Sequence, residues 1–183
     1  GSTVYTMIDN KLYLEAGGYT SMAKNMANGL GVWSGGSMST DPQSGQLVGG
    51  APYWRMFYQM LEGPHTFMVG TYGLTGNVAP LYNNTAGTNG YTEYNFDANY
   101  WYMHDQDHMF MVMYKYTRDD MKMGASQSLG YSMNNSNSLN NSMLMGMWTY
   151  QKTYNLSFAW NSMWGTADSY LYNGLSNAGP API

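Results

Sequence analysis

Apolar and polar side chains alternate at every second position through most of this chain, and no stretch follows a convincing 3.6-residue period. A period of 2 belongs to an extended strand whose two faces meet different surroundings. The first such segment runs from about Asn10 to Met22, where Leu12, Leu14 and Ala16 alternate with Lys11, Tyr13 and Glu15. In the second, Ala51–Leu61, one face carries Trp54, Met56, Tyr58 and Met60, and the other carries Arg55 and Gln59. Further segments are predicted at Thr66–Gly76, Tyr91–Met103, His108–Thr117, Leu139–Tyr150 and Tyr154–Trp164, which makes seven strands. Phe110, Val112, Tyr114 and Tyr116 share a face of the fifth, and Tyr154, Leu156, Phe158 and Trp160 share a face of the seventh.

The connections also alternate. Long Gly-, Ser- and Asn-rich loops are expected at Ala23–Gly50, Asn77–Gly90 and Arg118–Ser138, and the tail Gly165–Ile183 reads as loop. Between them fall short turns at Glu62–His65, His104–Asp107 and Gln151-Lys152. Long loops at one end and tight turns at the other are the asymmetry of outer-membrane barrels. Segments of about 10 to 13 residues suit a tilted strand crossing a bilayer, whereas ordinary strands average about 5 to 6. The pattern therefore predicts an all-β fold: a single-domain, antiparallel, up-and-down transmembrane β-barrel spanning 1–183, or part of one. Seven is odd where bacterial single-chain barrels have even counts. That count, and an end at Pro180-Ala181-Pro182-Ile183 without final strands, favour a partial barrel or a fragment of a larger one, and the opening Gly1-Ser2-Thr3 reads as a processed or added end or as an internal fragment. The rival architecture is a soluble β-sandwich or a secreted filament subunit.

Composition sharpens the choice. Charged residues make up 10% of the chain, against about 25% in an ordinary soluble domain, yet the mean hydropathy is on the polar side. Asn, Ser, Thr, Gly and 18 Tyr have replaced the missing charge. A soluble surface needs charge; a sheet with lipid on one side and an enclosed polar space on the other does not. A net charge of −4 without a basic stripe argues against nucleic acid as a partner. No apolar run approaches the length of a transmembrane helix. With no cysteine, the chain offers neither disulfides, thiolate metal sites nor covalent c-type haem attachment. Low charge also suits an acid habitat, where protonation of the carboxylates would leave 7 Lys+Arg and 3 His unopposed.

The wording of several segments is familiar. Ala51-Pro52-Tyr53-Trp54-Arg55 and the run Glu62-Gly63-Pro64-His65-Thr66-Phe67-Met68-Val69-Gly70-Thr71-Tyr72-Gly73 resemble the porin-like region of a family of outer-membrane, cytochrome-associated proteins of iron- and metal-cycling bacteria. Tyr91-Thr92, Ala98-Asn99-Tyr100, His108-Met109-Phe110, Leu139, Tyr150-Gln151-Lys152, Tyr154 and Leu171-Tyr172-Asn173 continue the resemblance, which covers about Asn10 to Asn173. It implies a porin-like barrel in the bacterial outer membrane. Some members carry a c-type haem segment earlier in the polypeptide, as in the porin-like cytochromes that oxidise iron in acidophiles. This chain departs from those members in lacking any Cys-x-x-Cys-His, so a haem would reside on another segment or a partner chain.

Methionine is the most unusual chemistry here, with 18 in the chain. Met109, Met111 and Met113 share a face of the fifth segment, and Met143, Met145 and Met147 share a face of the sixth. If these segments pair in register, six thioethers meet on one wall. Should the Phe, Val, Leu and Trp faces meet lipid, the methionines line the interior, where an apolar, adaptable lining suits a packed partner. Thioethers can also ligate Cu(I) or serve as an axial haem ligand, and plain core packing competes with both. Arg55, Lys115 and Glu15 are expected to point inward with Glu93 and Asp97, and Arg55 could meet a carboxylate or a haem propionate.

His104-Asp105-Gln106-Asp107-His108 and His65 sit at turns and read as solvated polar residues, so no metal site is assigned. Nothing resembles a catalytic triad or a phosphate-binding loop, and no enzymatic role is expected of this chain itself. The expected function is a barrel scaffold, surrounded by outer-membrane lipid, that sheathes or positions a haem electron-transfer module in extracellular iron or metal oxidation. Met109, Met111, Met113, Met143, Met145, Met147 and Arg55 are its cofactor-facing candidates, and further copies or the rest of the barrel are its expected neighbours. A general porin and a secreted β-rich filament or matrix subunit are the alternatives.

Overall fold

A computed structural model describes residues 1–21, 45–80, 84–103, 105 and 107–172. The alternation folds into strands throughout: β1 (Ser2–Ile8), β2 (Leu12–Thr20), β3 (Gly45–Val48), β4 (Gly50–Glu62), β5 (His65–Pro80), β6 (Asn89–Met103), β7 (His108–Lys122), β8 (Ser136–Tyr150) and β9 (Tyr154–Gly165). A 3₁₀ turn at Asn84–Ala86 and two short helices, α1 (Gly124–Ser128) and α2 (Ser169–Tyr172), complete the described elements. All nine strands form one sheet, with eight of them in the order β1-β2-β4-β5-β6-β7-β8-β9. β3 pairs with the far end of β5, Leu47 facing Val78, and so continues the line of β4. Each neighbouring pair is antiparallel. The sheet is an up-and-down meander, open between β1 and β9 rather than closed into a barrel.

Six of the seven expected segments lie within strands. The first, Asn10–Met22, contains β2, with Asn10 and Lys11 in the turn before it and Met22 outside the described residues, and the sheet adds two strands. β1 escapes a pattern search because Val4 and Ile8 on one face are matched by Tyr5 and Met7 on the other, leaving little polar contrast. β3 lies inside the stretch expected to be loop, directly before Gly49-Gly50. β5 and β7 also outrun their expected ends, to Pro80 and Lys122. In β7 the cluster Arg118-Asp119-Asp120 reads as a loop, yet the strand continues: Arg118 reaches over the next residue to Asp120 at 2.9 Å on one face, while Asp119 takes the other. Ladder hydrogen bonds hold this part in place after the apolar alternation has stopped. Of the loop expected at Arg118–Ser138, Met123–Asn135 remains outside strands, and α1 occupies part of it.

All four short turns lie at one end of the sheet, and the longer connections lie at the other. Asp9 and Asn10 (φ 50° and 53°) and Gln151 and Lys152 (φ 51° and 55°) close their hairpins with two consecutive left-handed residues. That arrangement matches the twist of the flanking strands. Adjacent turns are tied together by Met103 N–H donating to the Pro64 carbonyl at 2.9 Å and Gln151 N–H to Asp107 at 2.7 Å.

The long-loop end holds what conventional core there is. Ala79, Met121, Met123 and Ala125 are buried there. Asn89 clamps α1 to the start of β6: its amide donates to Ser126 Oγ at 2.5 Å and its Oδ1 accepts the Ser126 N–H at 3.0 Å. Both residues are buried. Asn89→Ala strands both Ser126 groups, and a loss of about 1–3 kcal/mol is expected in chemical denaturation.

Candidate functional site

Register decides what each face of the sheet presents. Residues paired across strands share a face, so the ladders can be followed from β1 to β9. One face carries, row by row, Met60, Phe67, Tyr100, Val112 and Phe158; then Ile8, Leu12, Tyr58, Val69, Ala98, Tyr114, Leu144 and Trp160; then Leu14, Met56, Thr71, Phe96 and Tyr116. This apolar face is the open one. Leu156 and Phe158 are 68% and 62% exposed.

Aromatic rings bound the apolar band at both ends. Towards the short turns, His65, Tyr102, Phe110, Trp148, Tyr150 and Tyr154 follow one another with ring centroids 4.8–6.5 Å apart. Towards the long loops stand Trp54, Tyr94 and Trp164. The Trp54 indole covers Gly73, so a β-carbon at that position would run into the ring. His65 Nδ1 lies 2.9 Å from the Tyr100 hydroxyl.

The opposite face is more polar and is sheltered on the middle strands, while on β1 and β9 it too is exposed. Asn95 and Asp97 are 3% and 8% exposed. One row of this face reads Tyr5, Glu15, Arg55, Tyr72, Asn95, Thr117, Asn141 and Met163. The next row includes Gly70, Asp97, Lys115, Met143 and Asn161. The Arg55 guanidinium lies 4.0 Å from the Asp97 carboxylate and over the Phe57 ring. Asn99 donates to the same carboxylate at 3.3 Å, Tyr72 donates to Glu93, and the Lys115 ammonium stands over the Tyr72 ring. The expected inward group of Glu15, Arg55, Glu93, Asp97 and Lys115 thus shares one face. Gly70 gives the Asp97 carboxylate its room, since a β-carbon there would press on both oxygens. Asn95 Oδ1 and Asn141 Oδ1 are buried and accept no hydrogen bond from the described residues.

The methionines lie on this sheltered face too. Met111 is paired with Met147, and Met113 with Met145. The register therefore makes a quartet rather than a sextet. Met109 faces Thr149 and Met143 faces Lys115, so both flank it diagonally. All six are half-buried. Trp101 and Asn99 border the quartet on β6, and Ser157 and Ala159 border it on β9. Arg55 is not brought to the methionines: it stands on β4, three strands from β7, at about 14 Å for the usual strand spacing. A sequence with no pairing information could give the shared face but could not place Arg55 beside Asp97.

At the turn after β6, Asp105 accepts N–H groups from Asp107 and His108 at 2.8 and 2.7 Å, and its carboxylate lies 3.1 Å from His108 Nδ1. These bonds shape the turn; His104 and Gln106, which belong to the same histidine–aspartate motif, lie outside the described residues. Sequence reasoning passed over one site altogether, the buried Asp168 behind α2. Its local signal is slight, an Asp that precedes a short helix and accepts the Tyr170 and Leu171 N–H groups, and its other partners Ser132, Met133, Asn134 and Asn137 are more than thirty residues away. No protein-family model, curated protein or solved structure matches the chain.

Proposed function

We propose that this chain is a section of the wall of an outer-membrane β-barrel, with its open face on lipid and its sheltered face towards an enclosed interior. One observation carries the reading: polarity on the middle strands is inverted relative to a soluble protein, with Val69, Phe96 and Val112 exposed on the open face and Asn95, Asp97 and Asn99 buried on the other. Outer-membrane barrels distribute side chains in this way, with an apolar band between aromatic girdles and a polar lumen. Tyr154 to Trp164 on β9, from one aromatic ring to the other, span about 34 Å along the strand and about 26 Å of height at the usual tilt of a barrel strand, close to the height of such a band. The clustering of short turns at one end accords with it.

Within that wall we place the scaffold of an electron-transfer module. The resemblance to porin-like cytochrome-associated proteins supports this, as does the thioether patch, which is unusual in a lumen that holds water alone. A haem, when bound, supplies one-electron transfer. This chain has no cysteine to hold one covalently, and Arg55 is already engaged by Asp97. Its contribution is a soft, water-excluding wall of Met111, Met113, Met145 and Met147 against which the carrier packs.

A channel is the second reading, favoured by the buried, unpaired amide oxygens of Asn95 and Asn141 beside a row of charged groups. Two measurements on the full chain purified from its native membrane separate the possibilities. A Soret band that stays with the chain through detergent extraction is the result expected of a sheath. Conductance in planar bilayers without that band gives the channel. In vesicles, acyl chains brominated near the bilayer centre should quench the Trp160 fluorescence, and chains brominated near the headgroups that of Trp54 and Trp148; emission unquenched by either rules out the membrane reading in both forms.

A further inference from the structure

The methionine quartet has a chemistry of its own that does not depend on where the sheet resides. Met111 and Met147 are direct cross-strand partners, as are Met113 and Met145, and the two pairs are successive on the same face. Opposed β-carbons in a sheet stand about 5 Å apart and successive same-face positions about 7 Å apart. The four attachment points therefore outline a rectangle whose centre is about 4 Å from each corner. A methionine side chain has three rotatable bonds and a polarizable sulfur, so all four sulfurs can reach towards that centre from their own strands. We infer that Met111, Met113, Met145 and Met147 form a thioether site for a soft monovalent cation of the Cu(I) or Ag(I) type.

The surroundings select that class of ion. Thioethers are soft, neutral donors that prefer Cu(I) over hard cations. The quartet contains no carboxylate, and the nearest one on this face, Asp97, is engaged by Asn99 and Arg55. A divalent ion there would keep its full charge against neutral sulfur with little to offset its lost hydration; a monovalent one loses far less. No group of three or more His, Asp or Glu side chains suited to a metal occurs among the described residues, so a hard-ligand site nearby does not compete. Access remains open, because the four methionines are only half-buried and the β9 neighbours Ser157 and Ala159 are small and exposed. Met109 and Met143, diagonal to the quartet, offer a replacement sulfur at each end.

The test uses Ag(I), which needs no reductant, titrated into the full chain in detergent with methyl-¹³C methionine observed by NMR. One equivalent is expected to saturate the site and to shift the methyl signals of Met111, Met113, Met145 and Met147, while those of Met56 and Met60 on the open face stay in place. Cu(I) delivered from a bicinchoninate complex should compete for the same site. Leucine preserves volume and shape at little cost, so the M111L/M113L/M145L/M147L variant should keep the fold, as read by circular dichroism, and lose at least tenfold in Ag(I) affinity. If that variant loses the fold, the paired M113L/M145L change carries the same expectation. The inference fails if wild type shows no saturable binding at micromolar Ag(I). It also fails if the leucine variants bind as tightly, or if the shifting signals belong to methionines outside the quartet. Failure of lipid quenching would leave this result untouched, and the reverse holds as well.

Discussion

Asp168→Asn is expected to lower stability by about 3 kcal/mol, the largest effect of any isosteric change in the described residues. The carboxylate is fully buried and accepts hydrogen bonds from two separate segments. Ser132 Oγ donates at 2.6 Å, the N–H groups of Met133 and Asn134 at 3.0 and 3.2 Å, and the Asn137 amide at 2.8 Å. From the other side come the N–H groups of Tyr170 and Leu171 at 3.2 and 3.0 Å. Every partner is a donor. An ionised carboxylate, which only accepts, is the one side chain of this size that satisfies them all. Asparagine turns an NH₂ group against these donors. The contact latches the β7–β8 connection to the segment following β9, so amide exchange at Met133, Asn134 and Leu171 should accelerate more than exchange within β6.

The same site gives a pH dependence with a definite sign. Burial by itself would raise the Asp168 carboxyl. The hydrogen bonds from Ser132, the Leu171 and Met133 N–H groups and Asn137 together outweigh it and hold the carboxyl well below its ordinary value of 3.8. A depressed folded-state value means that the unfolded chain binds the proton first. The stabilisation is therefore complete above the unfolded value and is lost as pH falls through it towards the folded one. Wild type and Asp168→Asn should differ by a constant amount from pH 5 upward and converge at strongly acid pH. A gap that stays open throughout acid titration would show that the carboxylate charge is not what holds the latch.

Legibility in the sequence followed the contrast between the two faces. β4, β7 and β9 could be read because Trp54, Met56 and Tyr58, or Leu156, Phe158 and Trp160, alternate with residues of a different kind. β1 could not, since Tyr5 and Met7 blur its second face, and neither could the ends of β5 and β7, where pairing with β6 and β8 continues after the apolar residues stop. The methionine stripes on β7 and β8 were visible, but not the register that pairs Met113 with Met145 and leaves Met143 opposite Lys115. A shift of two residues would preserve every face and change every partner. Asp168 was illegible for a related reason: beyond its local bonds to the Tyr170 and Leu171 N–H groups, its partners lie in Ser132–Asn137, brought close only by the β8–β9 hairpin.

Adjacent substitutions on β9 test the premise on which the proposed function rests. Phe158 and Ala159 follow one another, lie at nearly the same depth along the strand and are both exposed, so neither site resists a longer side chain by crowding. They differ in face: Phe158 stands with Trp148 and Leu144 on the open apolar side, and Ala159 stands with Met145 on the polar side. If the open face meets hydrocarbon, Phe158→Arg should destabilise the chain folded in vesicles by about 2–4 kcal/mol relative to Phe158→Ala, as arginine near the middle of a bilayer does. Ala159→Arg, turned towards the polar interior, should cost little. If instead both faces meet water, an exposed phenylalanine can be exchanged for arginine within about 0.5 kcal/mol, and the two arginine variants should unfold together. Denaturant titrations in lipid vesicles read the difference directly, and an equal response at the two positions would remove the physical basis for placing this sheet in a membrane.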